Sequence, residues 1–274
     1  MSELALIITI VTILLSLFVV LVERKLLAYS HRRMGPAFVG RNGIFQIVLD
    51  LIKLLTKETF LIPQPTTVLA PVLLAFVYGL QLIFSQQFVF TPLFFLFDNL
   101  DALILHYLIL VLLSSIIVII LGFLSQSRYA MIGTFRSLIH LISLDIFITV
   151  VYSLLILSSF STNFHDFFLS QSSYWYFFLY APLASIFIII LLVEAKRTPF
   201  DHTETESEVV AGYLIEYNSA MLLIFYLVEY VHVLISSIHF ILCFCSGWVI
   251  LGLFFFLPSI FILPNDCFLW FFLF

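Results

Sequence analysis

Long apolar runs separated by short polar connections set the pattern of this chain. A bilayer core needs about 20 apolar residues per helix. Seven runs approach that length: residues 4–22, 67–87, 102–124, 138–160, 175–193, 219–239 and 241–263. Pro63, Pro65 and Pro71 delimit the start of the second run, and Asn99 and Asp101 precede the third. The last two runs are almost continuous. The pattern predicts an all-α integral membrane protein of about seven transmembrane helices. No internal repeat suggests the inverted halves of a transporter.

Two connections carry structure of their own. In IFQIVLDLIKLLTKE, Gln46, Asp50, Lys53 and Lys57 fall at i, i+4, i+7 and i+11. They form one narrow polar stripe on an otherwise apolar helix. The segment is too short and too charged to span, so a short amphipathic helix in the interface or under the bundle is expected. An anchoring helix is the simplest reading of the stripe. The second is EAKRTPFDHTETESEVVAGYLIEY, residues 194–217. Thr198, Pro199 and Asp201 fit a helix start, with Thr203 and Glu206 as a competing capping box. Either start predicts a short helix with Asp201, Glu204 and Glu208 on one face. Glu206 points about the other way, because two residues are roughly 200° of helix.

Composition sharpens the class. The chain is 63% hydrophobic and only 10% charged, where soluble domains carry about 25% charge. One transmembrane domain over residues 1–274 follows, with inside connections at 23–66 and 194–218. The net charge of −5 says little about partners, and no nucleic-acid partner is expected. Cys243, Cys245 and Cys267 make no CxxC pair or His/Cys cluster, so no metal site is expected. No cleavable targeting segment is expected: the first run starts at Leu4 with no basic stretch before it.

Charge placement orients the spans. The first connection holds Arg24, Lys25, Arg32, Arg33, Arg41, Lys53 and Lys57. The third holds Arg128 and Arg136, and the fifth Lys196 and Arg197. These are all eleven Lys and Arg residues. The positive-inside rule then places the N-terminus outside and the odd-numbered connections inside.

The acids run against that rule. The fifth connection sets six of them, Glu194, Asp201, Glu204, Glu206, Glu208 and Glu216, against two bases. Glu229 and Asp145 lie inside predicted spans. A charged acid at mid-bilayer costs at least about 2.5–3.5 kcal/mol, so such groups face a bundle interior or a water-filled path. Crowded carboxylates in low dielectric share protons, which makes these acids candidate proton carriers. The blander alternatives are a solvated acidic loop with one capping Asp, and a Glu229 paired with His232 at i+3. His106 and His140 read as satisfying neighbouring helices.

Three motifs in order resemble a known family. ERKLLAYSHRRMGPAFVGRNG with LIKLLTKE, then SRYAMIGTFRSLIHLISLD, then EAKRTPFDHTETESEVVAGYLIEY with LVEY, resemble the subunit 1 family of NADH:ubiquinone oxidoreductase, respiratory complex I. The resemblance covers most of residues 23–230. It implies a membrane-arm subunit forming part of the quinone chamber and of an acidic path that couples quinone reduction to proton translocation. It implies no redox centre in this chain, ubiquinone as substrate, and an iron–sulfur cluster in a neighbouring subunit as electron donor. Matching positions put Arg24 and Arg33 near the quinone path, with Glu23, Asp50 and Lys53 beside it. Asp145, Glu194, Asp201, Glu204, Glu206, Glu208, Glu216 and Glu229 match the acidic path, and Arg197 matches the base of its signature.

Two departures qualify the match. The family has Tyr-Glu where this chain has Leu144-Asp145, one methylene shorter. The family also continues with a basic segment and an eighth helix, whereas no base follows Arg197 here. A separately encoded fragment supplying that last helix is the expectation. Other expected partners are lipid and subunits of both arms of the complex. The location implied is the mitochondrial inner membrane with the basic connections on the matrix side, or a bacterial plasma membrane. Two alternatives stay open: a related subunit of a membrane-bound hydrogenase, and a secondary transporter or proton channel.

Overall fold

The computed structural model describes residues 2–58, 69–82, 103–125, 127–162, 170–171, 174–196, 200, 212–214, 217 and 219–245. Within these residues the chain is helical, with no strand. Three helices are long and apolar enough to cross a membrane: Tyr107–Leu124, Arg128–Ser159 and Ser219–Phe244. Most of the predicted seventh span lies outside the described residues.

Helix α1 covers Ser2–Ser30. It outruns the predicted first span because nothing in Leu26–Leu27–Ala28 breaks a helix. Glu23 and Arg24 therefore stand on the helix and not in a loop. The end is a Schellman-type turn with Arg32 at φ 53°. Arg33 N–H donates to the Ala28 carbonyl at 2.9 Å, and Arg32 N–H to that of Tyr29 at 3.0 Å. That pair of bonds satisfies carbonyls the helix would leave orphaned.

The following loop folds onto itself. Gly43 has φ +74°, and a Cβ there would lie 2.2 Å from the Pro36 carbonyl oxygen. Only glycine allows this approach in this backbone conformation. The reversal delivers α2, Gln46–Thr56, to the side of α1 and the last described helix. This is the predicted amphipathic helix. Gln46 Nε2 donates to Asp50 Oδ1 at 3.1 Å within the polar stripe. Ile47 is buried, while Val48, Leu49, Ile52 and Leu55 are exposed, as an interface helix requires.

Helix α3 is Leu69–Leu82 and α4 is Leu103–Leu124. Helix α5, Arg128–Ser159, starts ten residues before the predicted span, so Arg128 and Arg136 are helical. Ser127 caps it, accepting from Ala130 N–H at 3.3 Å. The predicted span 175–193 is broken in two: α6, Tyr176–Leu179, and α7, Ala181–Glu194. Pro182 explains the break. It has no N–H to give to the preceding turn, so it opens a new helix. Helix α8, Ser219–Phe244, runs straight through the predicted boundary near residue 240. No glycine or proline lies there to end it.

Two apolar clusters organise the bundle. One gathers Tyr107 of α4, Tyr152 of α5, Phe187 of α7 and Phe240 and Phe244 of α8. The Tyr152 and Phe187 rings meet edge to face at 5.6 Å, a favoured aromatic geometry. The other joins Leu74 and Val77 of α3, Leu121 of α4, Leu214 of a short 3-10 turn, Gly212–Leu214, and Phe225 of α8. Helix α8 contributes to both clusters, and it also packs on α1, α2 and α7. Buried Gln171 donates its amide to the Cys243 carbonyl at 2.8 Å, satisfying the C-terminal end of α8.

Candidate functional site

A cavity opens between the two apolar clusters, with about 120 Å³ of internal space, room for several water molecules. Its walls include Val111 of α4, Ile148 of α5 and Val228 and Val233 of α8. Into it project Asp145 and His140 of α5, Glu194 and Lys196 at the end of α7, and Glu229 and His232 of α8. Gln81 of α3, Ser114 of α4 and Ser137 of α5 complete the polar lining among the described residues. Three acids carried by three different helices therefore share one space.

Local structure explains how each arrives. Helix α7 ends at Glu194, and Lys196 takes a positive φ of 50°, with its N–H on the Val193 carbonyl at 3.1 Å. This turn presents Glu194 and Lys196 to the same side. Glu229 and His232 are neighbours at i+3 on α8. The local Glu229–His232 pair is nevertheless not the one formed. His232 Nε2 lies 2.9 Å from Glu194 Oε1, and Lys196 Nζ lies 3.8 Å from Glu229 Oε1. Each α8 side chain takes an opposite-type partner from α7 because α7 ends at the same level of the bundle. An interhelical pair satisfies both chains without bending either around its own helix.

The pairs differ in environment. The Glu194 side chain is only 7% exposed, and its second oxygen, Oε2, is buried without a hydrogen-bond partner among the described residues. The Lys196–Glu229 pair is about a quarter exposed on each side. Gln81, 4% exposed, likewise has neither amide atom paired among the described residues. Buried polar atoms are nearly always satisfied. Atoms of this kind at the wall of a polar cavity mark places for water or a transient ligand.

A second polar group lies on the opposite flank of α8. Tyr230 Oη donates to Glu23 Oε2 of α1 at 2.6 Å, and Glu23 is buried. One residue further along α1, Arg24 Nη1 donates to Asp50 Oδ2 of α2. Glu229 and Tyr230 are adjacent on α8, so they point about 100° apart, one into the cavity and the other toward α1. Lys53 is exposed on α2, and Arg33 is exposed in the turn after α1. The structure thus pairs Glu23 with Tyr230 and Arg24 with Asp50, and leaves Arg33 and Lys53 at the surface.

Of the predicted acids, Asp145, Glu194 and Glu229 meet in the cavity. Asp201, Glu204, Glu206, Glu208 and Glu216, together with Arg197 and the expected acidic-loop helix, lie outside the described residues. Sequence reasoning did not assign Gln81, His140 or Lys196 to this site. A signal existed for Gln81, a lone amide deep in an apolar run. For Lys196 there was only its proximity to Glu194.

Comparison with known proteins gives consistent matches. A family model described as NADH dehydrogenase matches residues 2–274. The chain is 36% identical over 240 residues to NADH-ubiquinone oxidoreductase chain 1 of Metridium senile, covering 85% of this chain and 70% of the relative. It is 31% identical over 241 residues to the protein of the same name from Paramecium tetraurelia, covering 88% and 92%. It is 33% identical over 233 residues to an NADH-quinone oxidoreductase subunit of Geobacillus sp. (strain WCH70), covering 84% and 69%.

Proposed function

The chain belongs to the NADH dehydrogenase family, and from that premise we propose how it serves as a membrane-arm subunit of proton-pumping NADH:ubiquinone oxidoreductase. The cavity acids carry protons, and quinone reduction on the other flank of α8 drives them. The observation that carries this reading is the meeting of Asp145, Glu194 and Glu229, from three helices, in one cavity inside an apolar bundle. Acids this close in low dielectric exchange protons among themselves, and each responds to the charge of the others. The Glu23–Tyr230 contact and the Arg24–Asp50 pair form the flank toward the quinone. A change of charge there acts on Tyr230, and Glu229 is the next residue on the same helix.

In this reading the quinone headgroup is ubiquinone, and Arg33 and Lys53 at the surface lie along its approach. Electrons come from an iron–sulfur cluster held by a neighbouring subunit. Asp201, Glu204, Glu206, Glu208, Glu216 and Arg197 extend the acidic path toward the basic, inward-facing side. The membrane is the mitochondrial inner membrane, with the basic connections facing the matrix. The neighbours are other subunits of both arms of the complex.

The test uses the complex reconstituted in sealed vesicles. Glu194→Gln keeps the shape of the side chain and a hydrogen-bonding group for His232 but holds no exchangeable carboxyl proton. We expect assembled complex at its usual level and quinone-linked proton pumping slowed about 10-fold or more. Pumping at the unaltered rate and proton-to-electron ratio would sink the proposal.

A further inference from the structure

We propose that His232 is a proton-carrying residue of the cavity, passing protons between cavity water and Glu194. The inference rests on the proton-path reading above and adds to it a base that is not a carboxylate. The imidazole lines the cavity, and its Nε2 lies 2.9 Å from Glu194 Oε1. Its other nitrogen makes no hydrogen bond to any described residue, and it belongs to a ring that lines the cavity. A group with one nitrogen on a buried carboxyl and the other on water-accessible space is a two-ended relay.

The step balances without another reactant. A proton from water or a neighbouring acid binds Nδ1. The proton on Nε2 then moves to Glu194 Oε1, and the ring is left neutral as the other tautomer. Once Glu194 has passed the proton on, a ring flip or tautomer exchange through water resets it. Glu194 Oε2 is buried and has no hydrogen-bond partner among the described residues.

The surrounding charges suit this role. The titratable groups facing the cavity around His232 are Glu194 and Lys196 from α7, Asp145 and His140 from α5, and Glu229 from its own helix. Helix α3 supplies the amide of Gln81 and α4 the hydroxyl of Ser114, neither of which titrates. Lys196 is engaged with Glu229 at 3.8 Å, so the cation nearest in sequence to Glu194 is directed elsewhere. Among the described residues, the imidazole is the titratable group hydrogen-bonded to Glu194. Imidazole is also the side chain whose ordinary titration falls between about pH 5 and 8.

The experiment compares His232→Gln, His232→Asn and Glu194→Gln in the reconstituted complex, measuring quinone-linked pumping from about pH 5.5 to 8.5. Gln and Asn keep an amide donor for Glu194 but cannot carry a proton. We expect both His232 variants to assemble, to pump about 10-fold slower, and to change the shape of the pH profile. A purely structural imidazole would leave the shape of that profile intact. If the His232 variants keep the unaltered rate and profile while Glu194→Gln is slow, His232 is not a carrier and the acidic path stands. If Glu194→Gln is also unimpaired, the proton-path reading and this inference fail together. Failure of both His232 variants to assemble marks the imidazole as a strut and overturns the inference.

Discussion

Tyr230 and Glu229 illustrate how much turns on a single position of helix phase. Adjacent on α8, they serve two different polar groups, one reaching Glu23 on α1 and the other Lys196 at the end of α7. The Glu23 contact is the more buried, and a buried acceptor that loses its donor costs about 1–3 kcal/mol. Tyr230→Phe removes only the hydroxyl and leaves the ring. We expect a lower thermal midpoint of the isolated complex and slower quinone reduction, because Glu23 loses the hydroxyl that ties it to α8. An unchanged midpoint and turnover would show that the hydroxyl is idle. The Arg24–Asp50 pair is different. Its side chains are 49% and 34% exposed, so solvent screening holds its contribution to stability below about 1 kcal/mol. A role for that pair lies in fixing α2 and its charge beside α1.

At the scale of elements, the loop after α1 sets where α2 lies. Arg32 at φ 53° stops the helix, and Gly40 and Gly43, both with positive φ, fold the chain back. Gly43→Ala combines an unfavourable backbone conformation with a Cβ that would meet the Pro36 carbonyl at 2.2 Å. Substitutions at such positions cost more than the roughly 0.4–1 kcal/mol that alanine gives where its conformation is compatible. We expect Gly43→Ala to displace α2 and to reduce the yield of assembled complex, read on native gels. Wild-type yield and quinone reductase rate would show that the loop tolerates rearrangement. The split of α6 from α7 at Pro182 is a similar local event with a distant effect. It places the end of α7, and with it Glu194, level with His232.

For the whole molecule, orientation is the property on which the coupling direction depends. In the proposed reading, the positive-inside rule puts the basic loop of residues 31–45 on the inward face. A cysteine introduced by Arg41→Cys, at an exposed loop position, should react with an impermeant maleimide only when the inner face is opened to the reagent. Labelling from the outer face of sealed mitoplasts would reverse the assignment, and the acids would then open to the wrong compartment. Cys243 is buried and Cys245 partly so, and the same labelling of the unsubstituted chain gives the background from native thiols.

Some of this was determined by the sequence alone. Membrane residence follows from apolar composition, because a chain 63% hydrophobic cannot cover a water-facing surface. The amphipathic α2 follows from the spacing of Gln46 and Asp50, whose side chains meet as a period of 3.6 requires. The acids Asp145, Glu194 and Glu229 stand out because charge in an apolar run is costly and must have a use. What the sequence did not determine is who meets whom. The i+3 spacing of Glu229 and His232 made a local pair plausible, but spacing along one helix carries no information about the end of another. Only the packing of α7 on α8 brings Glu194 to His232 and Lys196 to Glu229, and only the bundle places Gln81 and His140 on the same cavity. Local order is written in periodicity over a few residues. The site is a product of contacts between residues far apart in the chain, which the tertiary fold alone creates.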